Sequence, residues 1–184
     1  MTRPRVVPVA AVLIAHAVIA AGFAGLAAHA GWLYHSSPGQ VEGGTAAELL
    51  STFSLPSTGG GFAWPMLAAP ALALLGPDLL HALPILVLAG AVALAPLATL
   101  LVYAIGRQLG TVRWALWLTA CWLGLPLLGY AFWQERYDAF WSDAMVSRLL
   151  GFSATQDALS LVLCLLTALL ALRALRQPGP SWVA

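Results

Sequence analysis

Carboxylates are scarce in this chain and unevenly placed. Seven stand among 184 residues: Glu42, Glu48, Asp78, Glu135, Asp138, Asp143 and Asp157. Glu42 and Glu48 lie in the stretch from Tyr34 to Pro65, a glycine- and hydroxyl-rich interruption in an otherwise apolar sequence. Glu135, Asp138 and Asp143 share a second polar stretch, Gln134 to Gln156, with Arg136 and Arg148, and Asp157 opens the apolar run that follows. A carboxylate can take the proton from an acceptor hydroxyl. An arginine such as Arg136 or Arg148 can hold a leaving phosphate through its paired N–H groups. Acids and guanidinium groups at a membrane surface would suit transfer onto a hydroxyl from a lipid-linked substrate. The plainer reading is that acids populate polar loops as solvated residues. Glu48 has a local explanation, because Thr45-Ala-Ala-Glu48 is a capping box whose two side chains satisfy free amides at a helix start.

The elements that must position these groups are membrane helices. Hydrophobic residues make up 61% of the chain and charged residues 8%, against roughly 25% charged in a soluble domain. Net charge is +1, all eight basic residues are arginines, and no basic cluster points to nucleic acid. Cys121 and Cys164 both fall in apolar runs, which offers neither a disulfide framework nor a CxxC metal or redox site.

Four apolar runs are long enough to span, at about 20 residues each: 6–32, 79–105, 114–133 and 157–175. The first exceeds the length of a signal-peptide core and is read as an uncleaved span, with Trp32 and Tyr34 as interfacial anchors. His16 falls mid-span; it is expected to pack on a neighbour or bond a carbonyl, although an ionisable group at that depth is also a functional hint. Pro84 and Pro96 could kink the second span. Arg107 and Arg113 bracket a tight turn at Gly110. Between the first two spans, residues 45–54 read as a short amphipathic surface helix. The run 62–76, interrupted by Pro65 and Pro70, is too short to cross and reads as interfacial or half-inserted. The triple glycine 59–61 lacks the Lys-Ser/Thr that would follow in a phosphate loop and reads as linker. Ser153-Ala-Thr-Gln156 is a second capping box ahead of Asp157. The expected fold is therefore all-α: a single polytopic domain over 1–184, with outer loops 34–78 and 134–156.

Charge placement fixes the expected orientation. With both termini cytoplasmic, Arg3, Arg5, Arg107, Arg113, Arg173 and Arg176 lie inside, six of the eight arginines, as the positive-inside rule asks. All seven acids then fall outside, and the expected location is the cell (inner) membrane.

The order of elements resembles the N-terminal part of the GT-C superfamily, polytopic glycosyltransferases that use polyprenyl-phosphate sugars. Pro38-Gly-Gln-Val-Glu42-Gly-Gly-Thr-Ala-Ala-Glu48-Leu-Leu is similar to the family's first-loop motif. Phe62-Ala-Trp-Pro65-Met-Leu-Ala-Ala-Pro70 resembles its proline-aromatic stretch, and Leu101-Val-Tyr-Ala-Ile-Gly-Arg107-Gln-Leu-Gly110 its helix end before a cytoplasmic turn. Ser153-Ala-Thr-Gln-Asp157 resembles the polar start of its fourth span. The resemblance implies that Glu42 is the catalytic acid, a general base or, in metal-dependent members, a ligand to a divalent metal. It implies that Asp157 corresponds to the second-loop acid, and that the partners are the bilayer and a polyprenyl-phosphate sugar donor. The chain departs in showing Val41-Glu42 where the family often has Asp or an Asp-Glu pair, and in holding fewer spans. A continuing reading frame, a second membrane subunit completing the groove, and a relative without activity all remain open. The alternative from another class is a non-catalytic four-helix scaffold or accessory subunit, for which the many Ala and Gly residues allow close helix packing.

Overall fold

The computed structural model describes residues 6–30, 69–70, 73–74, 87–133, 150 and 156–176. Four helices account for nearly all of them: α1, Val6–Ala30; α2, Val87–Leu109; α3, Val112–Trp133; and α4, Gln156–Arg176. Each contains a membrane-length apolar segment, of 23, 23, 21 and 19 residues in chain order. At 1.5 Å per residue the first two reach about 35 Å, enough for the hydrocarbon core. No strand occurs among the described residues. The chain is a helical, polytopic membrane protein.

The expected boundaries shift at the ends. α2 continues past residue 105 to Leu109 and takes Arg107 into its last turn, while α3 begins at Val112. The connection is only Gly110-Thr111, where Gly110 N–H donates to Gly106 O at 3.0 Å and Ala115 N–H to Thr111 O at 3.1 Å. Residues 69–70 and 73–74 of the second interfacial run are helical. The surface helix 45–54, both capping boxes and Pro84 lie, wholly or in part, outside the described residues.

Pro96 acts through a change of helix type. Its ring would clash with the Val92 carbonyl in a regular α-helix, and it has no N–H to donate. Directly upstream the chain forms a π-turn, Gly90–Leu94, in which Ala95 N–H reaches Gly90 O five residues back. One extra residue per turn relieves the clash at the cost of a shift in helical phase. In α3, Pro126 is instead kept inside the helix and fully buried.

α2 is the hub of the bundle, packing against α1, α3 and α4. Its apolar segment is 39% buried, against 17–22% for the other three. Val12 shares a cluster with Tyr103, and Phe23 and Ala27 share one with Val87 and Ala91, so α1 runs antiparallel to α2. Towards the end where α1 and α3 finish, Phe23 meets Tyr130 edge-on, with centroids 5.9 Å apart. Such a pair contributes about 0.5–1.5 kcal/mol beyond area burial. Leu150, fully buried, packs on Phe23 and Ala27. It brings the chain to this end six residues before α4 starts, and α4 then runs back alongside α2, where Val162 and Leu169 meet Ala98 and Leu101. Arg107, Arg113, Arg173 and Arg176 consequently collect at the opposite end. Large apolar side chains such as Ile14, Val18, Leu128 and Leu175 are exposed on the outside, the arrangement that lipid, unlike water, accepts.

Candidate functional site

Of the residues that sequence reasoning singles out for chemistry, Glu42, Arg136 and Arg148 lie outside the described residues. Asp157 is the second residue of α4. The fold does bring together the helix ends from which these segments depart. The C-termini of α1 and α3 and the N-terminus of α4 share one end of the bundle, marked by Phe23, Ala27, Tyr130 and Leu150. Segments 31–86 and 134–155 leave and rejoin the bundle there. Leu150 is two residues along the chain from Arg148.

The described polar centre lies between α1 and α2. His16 and Thr99, 83 residues apart in sequence, are buried, and Thr99 Oγ1 stands 3.0 Å from His16 Nδ1. Thr99 Oγ1 also donates to Ala95 O at 3.1 Å. A hydroxyl has one proton to give. With that proton on Ala95 O, Thr99 accepts from the Nδ1–H tautomer of His16. The chain of donors runs from His16 Nδ1–H to Thr99 Oγ1–H to the Ala95 carbonyl, immediately after the π-turn. His16 Nε2 is buried and without a partner among the described residues. Of the two expectations for His16, it packs on a neighbouring helix, meeting the side-chain hydroxyl of Thr99 and not a backbone carbonyl.

Thr99 was legible as a polar residue midway along an apolar span, but nothing in the sequence pairs it with His16. The other buried threonine, Thr119, spends its proton within its own helix, on Ala115 O at 2.8 Å. Among the described residues no group of three His, Cys, Asp or Glu side chains is placed to hold a metal.

This pair gives a coupled prediction. Thr99→Val keeps the shape but leaves the buried His16 Nδ1–H unpaired, a loss of about 1–3 kcal/mol. In a His16→Leu background the same substitution costs only a few tenths, roughly, because both partners have become apolar. Unfolding in lipid–detergent micelles titrated with denaturing detergent measures both. Equal losses in the two backgrounds would mean that the hydrogen bond carries no coupling.

No family model, curated protein or solved structure matches the chain.

Proposed function

We propose that the chain is a membrane glycosyltransferase module of the GT-C kind, transferring a sugar from a polyprenyl-phosphate donor at the end of the bundle opposite its arginine-bearing helix ends. The observation that supports it most is the segregation of the two ends. The segments bearing Glu42, Arg136 and Arg148 depart from the end at which Asp157 opens α4, while Arg107, Arg113, Arg173 and Arg176 gather at the other. In this reading Glu42 takes the acceptor proton, Arg136 and Arg148 bind the phosphate of the donor, and Asp157 contributes to the same surface. A carboxylate and guanidinium pairs are the groups that such a transfer uses. The assay is transfer of labelled sugar from a polyprenyl-phosphate donor in membranes containing the chain together with any subunit that completes it. Sugar-dependent release of polyprenyl phosphate is the expected result.

The same reading places both termini in the cytoplasm of a cell with the chain in its inner membrane, by the positive-inside rule. Cysteines introduced at Ser57 and Ser142 should react with an impermeant maleimide from outside, and one at Thr111, in the α2–α3 turn, should not. The native Cys121 and Cys164 are on exposed helix faces and are replaced by alanine first. Labelling at Thr111 with protection of the other two would reverse the orientation.

A second reading, a non-catalytic scaffold for another membrane subunit, draws on the close α2–α3 approach, where a Cβ added to Gly106 would lie 2.6 Å from the Ala115 Cα. Small residues there serve packing, as expected of a part built for assembly. Co-purification of a stoichiometric partner with no transfer in the reconstituted assembly would favour it.

A further inference from the structure

The α2–α3 turn carries an arrangement that the transferase reading does not use. Gly110 has an extended backbone, with φ −170°, so its lack of a side chain answers to space and not to strain. A Cβ there would lie 3.1 Å from Trp114 Cδ1 and 3.3 Å from Trp114 Cγ. The indole of Trp114 is therefore laid against the turn. Trp117 follows three residues later and Arg113 four residues before it, so the three share one helix face. They border an open recess at the arginine-bearing end of the bundle. Both indoles are 70% exposed, and Arg113 forms no ion pair among the described residues. Arg107, Arg173 and Arg176 lie at the same end, and no described carboxylate accompanies them.

An exposed arginine that shares a recess with two exposed indoles has a specific complement. The planar fork of arginine matches two oxygens of a phosphate. Indoles settle where hydrocarbon meets headgroups, and basic recesses at helix ends take anionic lipid headgroups. A hydrated inorganic phosphate would gain from Arg113 but nothing from the indole carbons. We propose that Arg113, Trp114 and Trp117 form a binding site for an anionic phospholipid of the leaflet at the arginine-bearing end, with the lipid phosphate on Arg113 and its glycerol and upper acyl carbons against the two indoles. Gly110 keeps the site open by making room for Trp114. The site is independent of Glu42 and of any transfer reaction.

The test uses the full chain, purified in a zwitterionic detergent and titrated with dioleoylphosphatidylglycerol or dioleoylphosphatidylcholine, bound lipid being counted by native mass spectrometry. Phosphatidylglycerol should be retained in preference to phosphatidylcholine. Arg113→Gln should weaken that retention on the order of tenfold, the loss expected for a charge-assisted hydrogen bond. Arg176→Gln removes the same charge from the same end and should leave retention within about twofold, as for a charge acting only through screened solvent. Trp117→Ala should weaken retention of the lipid; should that variant lose its helical circular dichroism, Trp117→Leu, which keeps apolar bulk without the indole, replaces it. Inorganic phosphate at millimolar concentration should fail to displace the lipid. Equal effects of Arg113→Gln and Arg176→Gln would reduce the site to diffuse surface charge. Equal retention of the two lipids would remove the anion, and displacement by inorganic phosphate would make the occupant a soluble anion. Each of these overturns the proposal.

Discussion

Glu42→Gln should, on the proposed reading, lower sugar transfer by about 10²–10⁴-fold, the usual cost of losing a general base. Glutamine keeps the size and hydrogen-bonding reach of the side chain and removes only its capacity to accept a proton. Val41 and Gly43 supply no neighbouring positive charge, so in the proposed reading a cation beside Glu42 would come from Arg136 or Arg148 in the second polar segment. Glu48→Gln is the matched control. It lies six residues on, in the same segment, and a glutamine still satisfies a capping box, so its effect should be small. The measurement is the initial rate of labelled-sugar transfer in membranes of equal protein content. Small and equal effects of the two substitutions would end the assignment of Glu42, and with it the main reason for reading the acid-bearing segments as catalytic.

The second large effect is expected in the α2–α3 hairpin. A Cβ on Gly106 would lie 2.6 Å from the Ala115 Cα and 3.1 Å from its Cβ. The first obstacle is backbone, which cannot rotate away, so even Gly106→Ala must push the two helices apart. Overpacking of this kind costs about 1–3 kcal/mol, and Gly106→Leu should prevent the hairpin from closing. Tyr103 and Val12 pack on the same Ala115, so the separation would also loosen α1. Gly22 and Gly25 provide the contrast, since an added Cβ at either meets nothing within 4 Å. There, Gly→Ala should stabilise α1 by about 0.5–1 kcal/mol through the lower backbone entropy of alanine. Denaturing-detergent titration of Gly106→Ala, Gly22→Ala and Gly25→Ala in one lipid mixture separates the two outcomes. A Gly106→Ala protein as stable as Gly22→Ala would show that the close approach is not needed for the fold.

The four membrane helices and the tight Arg107–Arg113 turn were legible in the sequence alone. Spanning depends on local quantities, apolar content over a length set by the bilayer, and each helix satisfies its own backbone whatever its neighbours do. What the sequence left open was rotation about each helix axis. α1, α3 and α4 are apolar nearly all round, so no stripe marks which face turns inward. Lipid and protein interior are alike to such a surface, and packing selects the face by shape. Only the tertiary structure could therefore match His16 with Thr99 across 83 residues, seat Leu150 on Phe23 and Ala27, or press Gly106 onto Ala115. Pro96 announced a disturbance in α2, but not that it would take the form of a π-turn over Gly90–Leu94. The candidate catalytic groups divide in the same way. Glu42, Arg136 and Arg148 were readable as chemical types in two polar segments, and the alternation of four spans already put both segments on one side; the structure adds which helix ends meet there, with Leu150 seated on Phe23 and Ala27 beside Tyr130.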